Sequence, residues 1–264
     1  MTILPSLILF VGIGIIVPTL YWTIFRKRSL LDKISAWLWS LTGFIAFIFF
    51  PAFLFRKHWE KAMVIAYNKF WFVLGVVQMD NNFWETLAKL LVIIIFITIA
   101  REDGRAIFTS KISATIFGYW VGLCYGIGEA LFLSIIGYIP VLNRIFGINL
   151  FMYFTTWYTV WERAYAIQLH AIIGALVGLG FYHWYGLGKR WWLLIFFTFG
   201  VLYHELVDGL VIVMMYYPRP AFVKFMNAHI YTITLPVLLV IGYLLLFIAY
   251  RLSKSKQKIN ITGG

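Results

Sequence analysis

Hydrophobic positions along this chain fall in long runs, at about 3–25, 34–55, 86–108, 114–138, 158–183, 191–215 and 229–250, separated by shorter stretches that hold most of the charge. Each run is close to the roughly 20 residues that a helix rising about 1.5 Å per residue needs to cross a bilayer. The pattern predicts an all-α fold, a polytopic transmembrane bundle of about seven helices with eight possible, in which residues 1–264 form a single membrane domain. Residues 56–85 interrupt it. There RKHWEK and FWE flank a half-apolar middle from Met63 to Val77, which reads as an interfacial or re-entrant segment near 60–82. The first run follows an uncharged MTILPS, precedes the basic RKR and lacks a small-residue cleavage site, so it reads as a retained helix and not a signal peptide.

Composition agrees with a bilayer environment. Of 264 residues 62% are hydrophobic and 20% aromatic, and only 12% are charged, against about 25% in soluble domains. The net charge of +12 would suggest nucleic acid in a soluble protein. Here the cations sit beside apolar runs, at 26–28, at Lys189 and Arg190, and in the KSKQK tail, where they act as positive-inside anchors. The implied partners are membrane lipids and no nucleic acid. Placing those clusters in the cytoplasm of a multi-pass cell-membrane protein puts the N-terminus outside and the C-terminus inside. That arrangement requires an odd number of crossings, which seven satisfies. The single cysteine, Cys124, excludes an intrachain disulfide and a cysteine-rich zinc site.

Ionisable residues inside lipid-spanning helices are expensive, so each is a functional-site candidate. Four groups qualify: REDGR at 101–105, Glu129 in YGIGEALF, the trio Glu162, Arg163 and His170, and YHELVDGL with His204, Glu205 and Asp208. Counting residues from the expected turns, Glu102 lies roughly ten from the cytoplasmic side. From the outer side Glu129 lies roughly nine, His170 about twelve, His204 about eleven and Asp208 about seven. These depths converge on one layer, from the bilayer centre into its outer half, with Glu162 shallower. Arg163 and His170 share one helical face, and His204 and Asp208 share another. Glycines beside Glu129 and after His170 permit close helix approach. Each group also has a plain structural reading: a solvated turn for REDGR, a satisfied interior carboxylate for Glu129, an interfacial ion pair for Glu162 and Arg163, and a hydrogen-bonded core histidine for His170. HELVD is a truncated form of the HExxH zinc helix, with aspartate where the second histidine stands.

Taken in order, the groups resemble the motif set of the PrsW and YhfC branches of the CAAX-protease and bacteriocin-processing superfamily of intramembrane proteases. Glu102-Asp103-Gly104-Arg105 resembles the opening acidic pair with its basic partner, and Tyr125-Gly126-Ile127-Gly128-Glu129 the glycine-aromatic run ending in glutamate. Arg163, His170-Ala171, Gly174 and Gly178 resemble the next element, and His204 with Asp208 the last. Asp103 replaces the usual second glutamate, and Asp208 stands where many relatives carry asparagine. The resemblance implies a motif-bearing catalytic core at 86–215 and an endopeptidase acting on transmembrane, membrane-proximal or lipidated protein segments.

On that reading Glu102, limited in its basicity by Arg105, activates water together with His170. His204, assisted by Asp208, stabilises the oxyanion, and Glu129 orients the constellation. Asp103, Arg105, Glu162 and Arg163 are supporting residues, and no cofactor is required. A zinc-dependent alternative uses His170, His204 and Asp208 as ligands with Glu102 or Glu205 as base. A non-catalytic scaffold, like the related scaffold subunit of gamma-secretase, and a proton-coupled transporter are the other classes open to a membrane protein with these buried charges.

Overall fold

A computed structural model describes residues 57–136 and 157–253. The apolar runs at 3–25 and 34–55, the basic cluster at 26–28 and the tail from 254 lie outside the described residues. Every described element is helical. Helix α1 (Lys57–Ala66) leads through a turn into a helical stretch that starts at Phe70, passes through the π-helical segment Val73–Gln78 and continues as α2 (Met79–Ile107). Then come α3 (Lys111–Ile136), α4 (Trp157–Phe181, continued by the π-helical Tyr182–Gly186) and α5 (Arg190–Tyr216). The final stretch is α6 (Pro220–His229), a π-helical turn at Ile230–Thr234 and α7 (Leu235–Leu252).

Turn chemistry sets several boundaries. Gly188 has φ 68° between α4 and α5, a left-handed conformation that glycine adopts without a Cβ clash. Pro220 opens α6, where its missing N–H leaves no intrahelical bond unmade. Among the described residues four stretches are long and apolar enough to cross a membrane: Phe70–Ile99, Val160–Gly186, Arg190–Tyr216 and Pro220–Leu252. The chain is a membrane protein whose described elements are all helical.

The first of these spans begins well before the apolar run at 86–108. Residues 70–82, expected to belong to an interfacial or re-entrant piece, are helical and continuous with α2. Further along the same helix Asn82, Thr86 and Lys89 face the protein interior and are 0% exposed.

Helix α4 is the centre of the described bundle. In its most apolar stretch 78% of residues are buried, against 17% for the final span. It packs most closely on α3, where Gly118, Gly122 and Gly126 recur every four residues; the first two meet Gly174 and Gly178, and Gly126 meets Ile167 and His170. A Cβ at Gly122 would collide with the main-chain carbonyl of His170, and one at Gly118 with the carbonyl of Gly174. Without a hydrophobic drive between helices in lipid, such backbone approach supplies the packing. It also brings Glu129 of α3 within reach of α4.

Candidate functional site

From the end of the π-helical segment into α2, Gln78, Asn82, Glu85 and Lys89 follow one another at steps of four, three and four, so they share one helical face. That face meets α5. Gln78 Nε2 donates to Asp208 Oδ2 at 3.1 Å, and Asn82 Nδ2 to Glu205 Oε2 at 2.8 Å. Glu85 is held on one side only: its Oε1 accepts from Asn81 Nδ2 at 2.8 Å. Its Oε2 is buried without a hydrogen-bond partner and lies 3.9 Å from His170 Nδ1 and 3.9 Å from His204 Nε2.

The two histidines are fixed from behind by carboxylates. Glu129 is clasped by two residues of α4 that lie two turns apart: its Oε1 meets an Arg163 nitrogen at 2.9 Å and its Oε2 meets His170 Nε2 at 2.7 Å. Arg163 is also paired with its neighbour Glu162. The charged start of α4 thus serves a carboxylate on α3, and the ion pair is part of the site instead of a surface anchor. His204 Nε2 lies 3.3 Å from Asp208 Oδ2, one turn along α5. The imidazoles stand nearly perpendicular, with centroids 5.3 Å apart at 89°. The Tyr125 ring packs on His170 in a T-shaped contact, with centroids 4.9 Å apart.

The proton on His170 follows from these contacts. A carboxylate paired with arginine only accepts, so Nε2 carries the hydrogen and Nδ1 presents its lone pair toward Glu85. Glu85 Oε2 and His170 Nδ1 are therefore two buried acceptors facing one another with no donor between them. Buried acceptors are expensive when unpaired. The arrangement suits a third species that bonds to both.

Two such species can be tested against the geometry. A tetrahedral metal with ligands at about 2.0–2.2 Å sets its ligand atoms roughly 3.4 Å apart. A water donating to two acceptors at about 2.8 Å sets them roughly 4.0–4.6 Å apart. The observed 3.9 Å falls closer to the water. The metal is still within reach, because one atom each from Glu85, His170 and His204 lies within 4.8 Å of the others. Among the described residues this trio, and not the expected set with Asp208, is the group that brings ligand atoms together.

These side chains line a cavity of about 460 Å³, a size typical of small-ligand pockets. Glu85, Glu129, Glu162, Arg163, His170, His204 and Asp208 form its polar wall. Leu169 and Val207, with Leu235, Leu238 and Leu239 of α7, supply its apolar lining.

The expected residues divide between this cavity and the far end of α2. Glu129, His170, His204 and Asp208 are brought together, with Glu162 and Arg163 beside them. Glu102 is not in this layer, which corrects the expected depth. It follows Glu85 by seventeen residues (102 minus 85) on one continuous helix, a rise of about 25 Å. No side chain bridges such a distance. The side chains of Glu102 and Asp103 lie outside the described residues, and Arg105 is exposed in the last turn of α2. The carboxylate that meets the two histidines is Glu85. His183 is 1% exposed and stacks on Trp192 at 5.1 Å, away from the cavity wall.

Glu85 and Lys89 were absent from the sequence-derived candidates. Their signal was present in the four-three-four spacing of polar residues from Gln78, which describes a helix face and not a loop. Averaged hydropathy conceals that spacing. No protein-family model, curated protein or solved structure matches this chain, so the geometry of the site is what speaks for its chemistry.

Proposed function

We propose that the protein is an intramembrane hydrolase that cleaves a peptide bond in a transmembrane, membrane-proximal or lipidated segment, using a water activated by Glu85. One observation carries this reading: two buried acceptors, Glu85 Oε2 and His170 Nδ1, face each other across 3.9 Å at a cavity wall. Water held there donates one hydrogen to each. As its oxygen attacks the carbonyl carbon, Glu85 takes the proton and later delivers it to the leaving nitrogen. His204, beside Asp208, donates to the developing oxyanion. Glu129, held by Arg163 and Glu162, orients His170. The apolar lining receives substrate side chains or an acyl group.

The order of motifs supports the same reading. Tyr125 to Glu129, Arg163 with His170, and His204 with Asp208 keep the sequence of elements that resembles the PrsW and YhfC proteases, and Glu85 with Lys89 takes the opening position in place of Glu102 with Arg105. The protein on this reading is a multi-pass cell-membrane enzyme with its N-terminus outside and its C-terminus in the cytoplasm.

A second reading has an observation of its own in the trio Glu85, His170 and His204. These residues would ligate zinc, which supplies a polarised water, while Glu129 would hold His170 through its second nitrogen in the manner of an outer-shell carboxylate.

The experiment is hydrolysis of a co-reconstituted transmembrane substrate, with melting measured in parallel. Glu85→Gln is expected to abolish cleavage and Glu102→Gln to retain it. Activity that survives chelation supports the glutamate mechanism, and activity lost on chelation and restored by zinc supports the metal. A Glu85→Gln protein that cleaves at the wild-type rate ends both. Absence of any cleavage, with Glu85→Gln changing stability alone, favours a scaffold.

A further inference from the structure

Lys89 is 0% exposed within the span Phe70–Ile99. An ammonium taken out of water costs several kcal/mol even after relaxation, and leucine or methionine would fill the same space without that cost. The two contacts it makes explain its presence. Its Nζ donates to the main-chain carbonyl of Glu85 at 2.9 Å and lies 3.7 Å from the centre of the Tyr125 ring. The first contact ties down the turn of α2 that carries Glu85. The second presses a cation on the negative face of an aromatic ring, an attraction strengthened by desolvation. The same ring packs on His170 in a T-shaped contact.

The His170 ring is thereby enclosed. Tyr125 supports it, His204 stands perpendicular to it, and Gly126 leaves room for its Cδ2 only by having no Cβ, which would come to 3.0 Å. Lys89 touches neither the cavity nor the water position, yet it supports Glu85 through one contact and His170 through the other. We propose that Lys89 is a positioning residue of the site, which fixes the gap between Glu85 Oε2 and His170 Nδ1 through the Glu85 carbonyl and the face of Tyr125. This role deepens the hydrolytic reading and rests on it for its effect on turnover.

The test uses the full chain reconstituted in lipid, with Lys89→Met, which keeps length and loses the cation, and Lys89→Arg, which keeps the cation. The first readout is the imidazole spectrum of ¹⁵N-histidine-labelled protein. The His170 Nε2–H that donates to Glu129 gives a deshielded signal, assigned by its disappearance in His170→Asn. Lys89→Met is expected to broaden or shift it, and Lys89→Arg to restore it. The second readout is cleavage of the transmembrane substrate. Misplacement by about 1 Å costs about 100-fold in turnover, so kcat is expected to fall by that factor with KM unchanged. The melting temperature is expected to stay level or rise, since an apolar replacement removes the buried charge. An unchanged imidazole signal overturns the proposal, as does wild-type kcat. Where wild type cleaves nothing, the hydrolytic reading fails and the spectrum alone decides what Lys89 does. Where Lys89→Met does not fold, Tyr125→Leu carries the same test, because it removes the ring and leaves the cation.

Discussion

Replacing Glu129 by glutamine keeps its shape and removes one charge, which makes the bridge between α3 and α4 measurable. In the wild type its two oxygens serve two donors, Arg163 at 2.9 Å and His170 at 2.7 Å. An amide has one oxygen and one NH₂ group. Arginine only donates, so the oxygen must turn to Arg163 and the NH₂ to His170. Hydrogen bonds to charged groups contribute about 1.5–3 kcal/mol and neutral ones about 1. Weakening both contacts therefore removes about 1–3 kcal/mol. The loss stays below the roughly 3–5 kcal/mol of a fully broken buried pair, because Arg163 keeps Glu162. The chemical effect is larger than the thermodynamic one. With an NH₂ group facing Nε2, the hydrogen of His170 moves to Nδ1, which then presents a donor to Glu85 and no longer accepts from water. Loss of general acid–base function is expected, about 10²–10⁴-fold in kcat. Equilibrium unfolding in micelles gives the first quantity, and a double-mutant cycle with Arg163→Gln isolates the pair, with a coupling of about 0.5–3 kcal/mol expected. Strict additivity in that cycle, or Glu129→Gln at wild-type stability and turnover, would refute the bridge.

Gly122→Ala places a methyl group against the His170 carbonyl, and overpacking of this kind costs about 1–3 kcal/mol; a lower unfolding midpoint together with reduced turnover is expected, and an unchanged midpoint counts against the close α3–α4 contact. Gly242→Ala meets the Tyr203 hydroxyl, which now donates to the Leu238 carbonyl at 3.0 Å; loosening of α7 from α5 is expected, read as faster amide exchange at positions 235–242, and an unaltered exchange pattern contradicts the contact. On the positive-inside rule the basic clusters at 26–28, 189–190 and 254–258 are expected to hold the tail in the cytoplasm, and a reporter fused after residue 264 that proves active on the outer side excludes that topology.

Helix positions were largely legible wherever a run was uniformly apolar. The runs at 114–138, 158–183 and 191–215 reappear as α3, α4 and α5 with ends shifted by a few residues, because length and hydropathy alone suffice in lipid. The site was legible where polar residues stood out against such a run, as Glu129, His170, His204 and Asp208 do. Glu85 and Lys89 did not stand out, since Gln78, Asp80, Asn81 and Asn82 precede them and depress the local average. Glu102 stood out for the opposite reason: it follows the apolar stretch 90–99 closely enough to be counted as inside it. Depth was therefore measured from the wrong boundary. A helix that runs from Phe70 to Ile107 puts Glu85 near its middle and Glu102 in its last two turns.

The low average hydropathy of the first half of α2 also bears on how the protein is made. Insertion of a single helix is governed by the sum of its residues, and a lysine or an acid near the centre adds about 2.5–3.5 kcal/mol against about −0.3 to −0.6 for each leucine, isoleucine, phenylalanine or valine. With Glu85 and Lys89 both central, this helix is a poor candidate for release into lipid by itself. Among the described residues its polar face finds its partners on α3, α4 and α5, all of which leave the ribosome later. On that pairing, biogenesis holds it at the insertion machinery, or in a sheltered protein environment, until α5 has been synthesised, so the site is assembled at the same moment that its first wall becomes stable in the bilayer.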